Sequence, residues 1–444
     1  MLDYTHKKER LVAEIAAAPA GGVRLGKQTS NLFRERQRTG GHTLDVKDFN
    51  NVLEVNPEQA WVEVEGMTTY ERFVDGTLSH GVMPAVVPQL KTITIGGAIS
   101  GIGIESSSFK FGLPHETVLA MDVLLGHGEV VTCTPDNDLK DLFYGFPNSY
   151  GTLGYILKLK TLTVAVKPYV EIHHTRCNNA MEFFETIAQS CCSDADFVDG
   201  SVFSENEVVV TTGRFVDEAP FTSDYTYLDI YYQSILQREQ DYLTIYDYIW
   251  RWDTDWFWCS KNLYAQNQFM RRLLGRQRLN SRTYTKVMRW NTHWGITRRL
   301  NSLVGNHPES VIQDVDIPID NAAEFLAFFQ REIRIKPIWI CPIGAYNKSA
   351  VFDLYPMNTN KLYINFGFWD VVRNRQNHPA GHYNRLIEKK VAELGGVKSL
   401  YSDSYFTEQE FWSIYNREHY EYLKSRYDPQ ARLKNLYQKV VLKQ

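Results

Sequence analysis

The sequence predicts an α+β fold in two domains, and three observations carry that expectation. At 444 residues the chain exceeds what one hydrophobic core serves, and two units of roughly 150–250 residues suit it. Through the first 165 positions, short strands with period-two alternation interleave with short helical segments. At Lys167-Pro168 the character changes: the stretch that follows mixes strands with longer helices and holds most of the tryptophans.

Taken in order, an Ala-rich helix over Lys7–Ala18 ends at Pro19 and Gly21-Gly22. A short strand follows, then the basic, hydroxyl-bearing loop RLGKQTSN (Arg24–Asn31), a candidate phosphate contact. Alternation marks strands at Leu44–Phe49, Asn51–Val55 and Ala60–Val64. A helix over Thr68–Ser79 leads to a strand at Val82–Val87. Val118–Leu125 and Glu129–Thr134, split by Gly126-His127-Gly128, read as a hairpin. A short helix begins at Asp138, and Gly151-Thr152-Leu153-Gly154 turns into a strand over Tyr155–Val166. The second unit holds strands at Val170–His174 and Val208–Thr212. From His382 the chain reads as a helix (Tyr383–Leu394), a Gly-Gly break, a strand with Tyr401 and Tyr405, and a polar final helix.

Thr94–Gly112 (TIGGAISGIGIESSSFKFG) organises the first unit. Its glycines allow the backbone to approach a ligand closely, and successive amides in such turns form concavities for anions. It lacks the Gly-Lys-Ser/Thr ending of a P-loop and the helix-opening GxGxxG fingerprint. Aromatic residues make up 13% of the chain, which suits a large apolar core or ligand cavity. A net charge of −4 argues against general nucleic-acid binding. Six cysteines without metal spacing, and no apolar run near membrane-spanning length, point to reduced thiols in a cytoplasmic protein without a resident metal. His173-His174 reads as structural.

From Asn262 to Gly305 the chain has no acid, but many basic residues, including Arg271, Arg272, Arg276 and Arg278, interleaved with Phe269, Tyr284, Trp290 and Trp294. Such a segment suits an anionic membrane interface, a nucleotide or acyl-carrier partner, or a solvated basic helix pair. Upstream, the cluster from Tyr242 to Trp258 reads as core or cavity wall.

GIGIESSSFKFG, VLAMDVLLGHGEVVTCTPDND, DLFYGFPNSYGTLGYILKLKTL, RIKPIWICPI and LYSDSYFTEQEFW together resemble the vanillyl-alcohol-oxidase/PCMH flavoprotein superfamily, and within it the Δ24-sterol reductase (seladin/Diminuto) group. The resemblance implies a two-subdomain PCMH-type FAD-binding domain over 1–165 and a mixed α/β substrate-covering domain over 166–381. A C-terminal segment over 382–444 would return to the FAD domain. It implies that Gly96, Gly97, Gly101 and Gly103 face the FAD pyrophosphate with their amides, and that Ala98 and Ile104 also belong to the cofactor site. Glu105 and Ser106–Ser108 would lie beside the cofactor, Gly151, Thr152 and Gly154 near its flavin or adenine end. Gly26, Lys27, Thr29 and Ser30 would close the phosphate cradle. The tract Arg38-Thr39-Gly40-Gly41-His42 looks like a covalent flavin-attachment loop, but the Arg24–Asn31 loop fills that slot. His42 is expected as a surface turn residue, and FAD as non-covalent. The membrane-anchoring stretch with which eukaryotic sterol reductases begin is not in the chain.

The implied activity is reduction of a carbon–carbon double bond in a lipid, a sterol side chain or a methylene or unsaturated acyl chain, with NADPH as reductant. Such a reduction needs a proton donor beside an apolar cavity. Tyr401, Tyr405, Glu105 and His382 are the candidates, and tyrosine is protonated at pH 7 without perturbation. A flavin oxidase or dehydrogenase of an alcohol or C–C bond, and a flavin- or lipid-binding protein without turnover, stand as alternatives. The expected location is cytoplasmic, at most peripheral on the inner face of a membrane; oligomeric state is open.

Overall fold

The computed structural model describes residues 3–19, 21–27, 33, 40–258, 260–261, 265–294, 307–374, 376 and 378–444, without the side chains of 288–294 and 374. Near the N-terminus a small parallel pair joins β1 (Val23–Leu25) to β2 (His42–Leu44). The first large sheet follows: β3 (Val52–Asn56), β4 (Trp61–Glu65), β5 (Val82–Pro84), β6 (Val118–Leu124), β7 (Val130–Cys133) and β8 (Tyr155–Ala165). Its order is β3-β4-β8-β6-β7, with β5 also on β8. The β6–β7 hairpin is present as the Gly-His-Gly punctuation predicts. The strand expected over Leu44–Phe49 instead ends at Leu44, and His42 lies within it. There it meets Glu14 at 3.1 Å, so it is a strand residue and not a turn residue.

The second unit is more strand-rich than its sequence suggests. An eight-stranded antiparallel sheet is ordered β12-β9-β11-β10-β14-β15-β13-β16. Its members are β9 (Tyr169–Cys177), β10 (Phe197–Val202), β11 (Val208–Val216), β12 (Gln240–Thr244), β13 (His307–Pro318), β14 (Ile338–Ile343), β15 (Tyr363–Asn374) and β16 (Val397–Lys398). The helices Ala180–Cys191, Ile319–Glu332 and His382–Glu393 cover one face. Phe183, Phe325, Phe329, Phe366 and Phe368 form the core beneath them. Residues alternate along a strand: Ile338 and Ile340 of β14 join that core, while Trp339 and Cys341 join the larger core shared with the first unit.

The return to the first unit comes later than His382. The helix starting there packs on β13, and Val397–Lys398 pairs with β13. Tyr401 lies in a turn beside the isolated Phe33–Ser402 bridge, and Tyr405 in irregular chain beyond it, so neither is in a strand. The remaining helices then run back over the first unit: Lys424 Nζ donates to the Thr152 carbonyl (2.8 Å), Lys439 Nζ to that of Tyr150 (2.6 Å), and Val23 N to that of Arg432 (3.1 Å).

Candidate active site

Thr94 caps the short helix Ile95–Ser100, its Oγ1 accepting from Gly97 N at 3.2 Å. Two glycines in so short a helix are a poor choice for propensity, and packing explains one of them. A Cβ on Gly96 would lie 2.7 Å from the Gly66 carbonyl oxygen, which accepts from Gly96 N at 2.9 Å. A Cβ on Gly97 would meet the capping Thr94 Oγ1 at 2.8 Å, with Lys27 Nζ beyond it at 3.7 Å. The basic loop and the glycine helix thus meet, although their sequence positions are seventy apart (97 − 27 = 70).

These contacts correct the expected donor set. The amides of Gly96, Gly97, Ala98 and Gly101 are bound to Gly66 O, Thr94 Oγ1, Thr94 O and Gly97 O, so they do not point at a diphosphate. Gly103 sits between Pro88 and Pro114. The amides of Ile102, Gly103 and Ile104 find no acceptor among the described residues. Donors for an anion therefore remain in that turn, one step after the helix. Ser106, Ser107 and Ser108 are buried and turned inward: Ser106 Oγ donates to Glu105 (2.6 Å), Ser107 Oγ to the Ala85 carbonyl (2.8 Å), and Ser108 Oγ accepts from Glu105 N (3.1 Å). Thr152 Oγ1 donates to the Ser149 carbonyl (2.8 Å), and Gly154 packs on Val123 and Leu124 of β6. Gly151 ends a run in which Asn148 (φ 63°), Tyr150 (φ 52°) and Gly151 (φ 73°) are left-handed. That bend lays the Tyr150 ring against Gly101, and Tyr150 N donates to Ser100 O at 2.7 Å. Gly26 packs on Leu44; Thr29 and Ser30 lie outside the described residues.

Glu105 is not a free acid. Its Oε1 accepts from Gln89 Nε2 (2.6 Å), Ser106 Oγ and the buried Arg251 guanidinium (3.2 Å). The same Arg251 donates to Asp199 of β10 at 2.7 Å. Burial pushes the Asp199 carboxyl up to about 6, against the pull of Arg251. This pair ties the glycine stretch to the second sheet. Arg251, the one cation inside the dense aromatic run, was not among the candidate residues.

Tyr401 is placed differently. Its hydroxyl accepts from Trp369 Nε1 at 2.9 Å, and Asp314 on β13 is a charged neighbour. Asp314 is half-buried, but its Oδ1 is out of solvent without a partner among the described residues, and desolvation raises its carboxyl to about 7. Burial first, then the neighbouring Asp314, keeps the Tyr401 hydroxyl protonated. Gly367 on β15 makes the room, since a Cβ there would lie 2.8 Å from Asp314 Oδ1. Around Trp369 stand Phe257 (4.7 Å), Trp258 (5.9 Å) and Trp339 (6.4 Å), and Phe33 packs edge-on to Tyr401 at 5.9 Å. A proton-bearing hydroxyl thus borders an aromatic wall. Tyr405 is separate: it packs on Gly381, with Lys443 over its ring. His382 stacks on His378.

Asp314 and Asp316, two acids at alternating positions in the apolar-alternating end of β13, were not among the candidate residues. Among the described residues no cluster of side chains has metal-binding composition, and no helix is long and apolar enough to cross a membrane. Arg271, expected on a basic surface, is fully buried, donating to the carbonyls of Tyr227 and Ala265.

Residues 5–134 match the family model described as FAD binding domain. The fit to this cofactor rests on the chain itself: open amides at 102–104, Lys27 beside Gly97, and the buried, unpartnered hydroxyls of Ser149, Ser402 and Ser404 around the seam between the units. The protein is therefore an FAD-dependent oxidoreductase with a PCMH-type FAD-binding domain. Along most of its length it is similar to Delta(24)-sterol reductases. The Homo sapiens protein is 28% identical over 414 residues, covering 90% of this chain and 78% of that protein. The Arabidopsis thaliana protein is 26% identical over 431 residues, covering 86% and 74%. Cytokinin dehydrogenase 9 of Oryza sativa subsp. japonica matches over 132 residues at 25% identity, 29% of this chain and 25% of that protein.

Proposed function

We propose that this oxidoreductase reduces a carbon–carbon double bond in a lipid, a sterol side chain or a methylene or unsaturated acyl chain, using non-covalently bound FAD with NADPH as electron donor. The observation that carries the reading is Tyr401: a hydroxyl kept protonated by burial, backed by Asp314, on the edge of an apolar aromatic wall. The similarity to proteins named Delta(24)-sterol reductase supports the same direction of chemistry.

FAD, when bound, supplies the two-electron chemistry. The turn at Ile102–Ile104 and Lys27 would hold its phosphates. The protein's part is to exclude water and move a proton. With Asp314 protonated, its proton can hydrogen-bond to the Tyr401 oxygen, freeing the Tyr401 hydrogen to reach an alkene carbon on the aromatic side. After transfer, the Asp314 proton restores the phenol. A positioned acid of this kind contributes about 10²–10⁴ in rate. The aromatic wall holds an apolar chain in place and keeps solvent out.

The test is anaerobic. Protein loaded with FAD is reduced by NADPH, then offered a lipid alkene or air. Reoxidation by the alkene, with a gain of two hydrogens in its mass, supports the reading. Reoxidation by air alone, or by no alkene at all, overturns it in favour of an oxidase or a non-catalytic flavin protein.

A further inference from the structure

The helix Gln268–Leu274 turns one side in and the other out. Arg271 and Leu274, three apart, face the core. Phe269, Arg272 and Leu273, at spacings of three and four, share the opposite side. Phe269 is 72% exposed and Leu273 67%. Met181 is as exposed but solitary on its helix; adjacent exposed apolar groups mark an interaction site where single ones do not.

The rim of this patch is basic. Arg272, Arg278 and Lys286 are exposed and form no ion pair among the described residues, whereas Arg276 is neutralised by Asp224 (2.8 Å) and Arg282 by Glu71. No acid occurs anywhere between positions 262 and 305. An apolar centre with a cationic rim is complementary to a surface that is apolar within and anionic at its edge. The patch also connects inward. Tyr284, on the helix Ser281–Trp294, donates its hydroxyl to the Thr254 carbonyl (2.8 Å) and stacks on Trp256. Trp256 is 6.0 Å from Phe33, which abuts Tyr401.

We propose that this face seats the protein on an anionic lipid bilayer, with Phe269 and Leu273 entering the boundary between headgroups and acyl chains and Arg272, Arg278 and Lys286 on the phosphates. Its purpose, delivery of a lipid toward the aromatic wall, rests on the functional reading above; the binding itself does not.

The test uses the FAD-loaded chain, sedimented with vesicles of phosphatidylcholine alone or of an equal mixture with phosphatidylglycerol. Binding to the mixed vesicles and not the neutral ones is expected, weakening as salt rises. The F269S/L273S variant should bind at least about tenfold more weakly, and the R272Q/R278Q variant should lose about tenfold through its preference for anionic vesicles. Both should keep the flavin spectrum and melting temperature. Wild-type protein that retains FAD but ignores both vesicle types, or variants that sediment like it, would overturn the membrane face and leave the redox reading standing. Failure of the lipid-reoxidation test with vesicle binding intact would do the reverse.

Discussion

Alternate residues of the same strands build two unlike faces of the eight-stranded sheet. Toward its helices the sheet presents Val198, Val315, Ile340, Phe366 and Phe368, an apolar layer in which the buried Gln313 donates to Asn384 Oδ1 (2.6 Å). Toward the FAD domain, β10, β13 and β15 present Asp199, Asp314, Asp316, Asn365 and Trp369. Two buried carboxylates and a half-buried third on one side of a sheet would be costly without partners. Asp199 has Arg251, and Asp316 accepts from Tyr355 (2.6 Å) and Asn365 (2.7 Å). Asp199 and Asp314 each keep an Oδ1 unpartnered among the described residues, but Asp199 has a cation beside it and Asp314 forms no ion pair among those residues. The comparison separates groups that hold the domains together from the group left able to exchange a proton.

The largest effect that would break this distinction is on rate. Tyr401→Phe should lower turnover by about 10²–10⁴ while FAD binding and melting temperature stay near wild type; Tyr405→Phe should do little to turnover. A Tyr401 variant with full activity removes the proton-donor role. Next comes stability. Arg251→Met leaves Glu105 and Asp199 buried without their cation and should cost about 3–5 kcal/mol in denaturant unfolding. Phe329→Ala on the helix side should cost a similar amount, about 3–5 kcal/mol, by leaving a cavity. Adding Glu105→Gln and Asp199→Asn should recover part of the Arg251→Met loss but none of the Phe329→Ala loss.

A smaller effect is expected at Gly96. Alanine there pushes on the Gly66 backbone carbonyl and should cost about 1–3 kcal/mol with weaker FAD retention, whereas Gly97→Ala, which meets the Thr94 side-chain hydroxyl and no backbone atom, should cost less. The most delicate readout is pH. Asp314, raised to about 7 in the folded protein, carries its proton below that value, so turnover should fall as pH rises through about 7. Asp314→Asn should flatten that limb. The same raised value means the folded state binds the extra proton, so this group's contribution to stability is complete below the ordinary aspartate range and lost as pH climbs toward about 7. Titrating unfolding of wild type and Asp314→Asn in parallel measures that slope.

Several parts of the site were legible in the sequence. Gly-rich spacing marked the turn, and Tyr401 stood out as a candidate before the structure set it against Trp369 and Asp314. Asp314 was missed because a strand acid is ordinarily read as solvent-facing, and here the second domain's other side is covered by the first. The basic residues of 262–305 were read as one surface, but a helix has two sides, and Arg271 falls on the inner one. Ser106–Ser108 suggested ligand hydroxyls; burial turned them onto Glu105 and Ala85 instead.

By itself, the order of residues determined the two-domain α+β character, the β6–β7 hairpin and the place of the cofactor-binding domain, because turn chemistry and alternation act over a few neighbouring residues. Tertiary structure decided which amides of the glycine turn remain open, which arginine is inside, and that Asp314 stands behind Tyr401. Those outcomes depend on groups far apart in the chain competing for the same hydrogen bonds and the same dry space, and no local pattern encodes the winner.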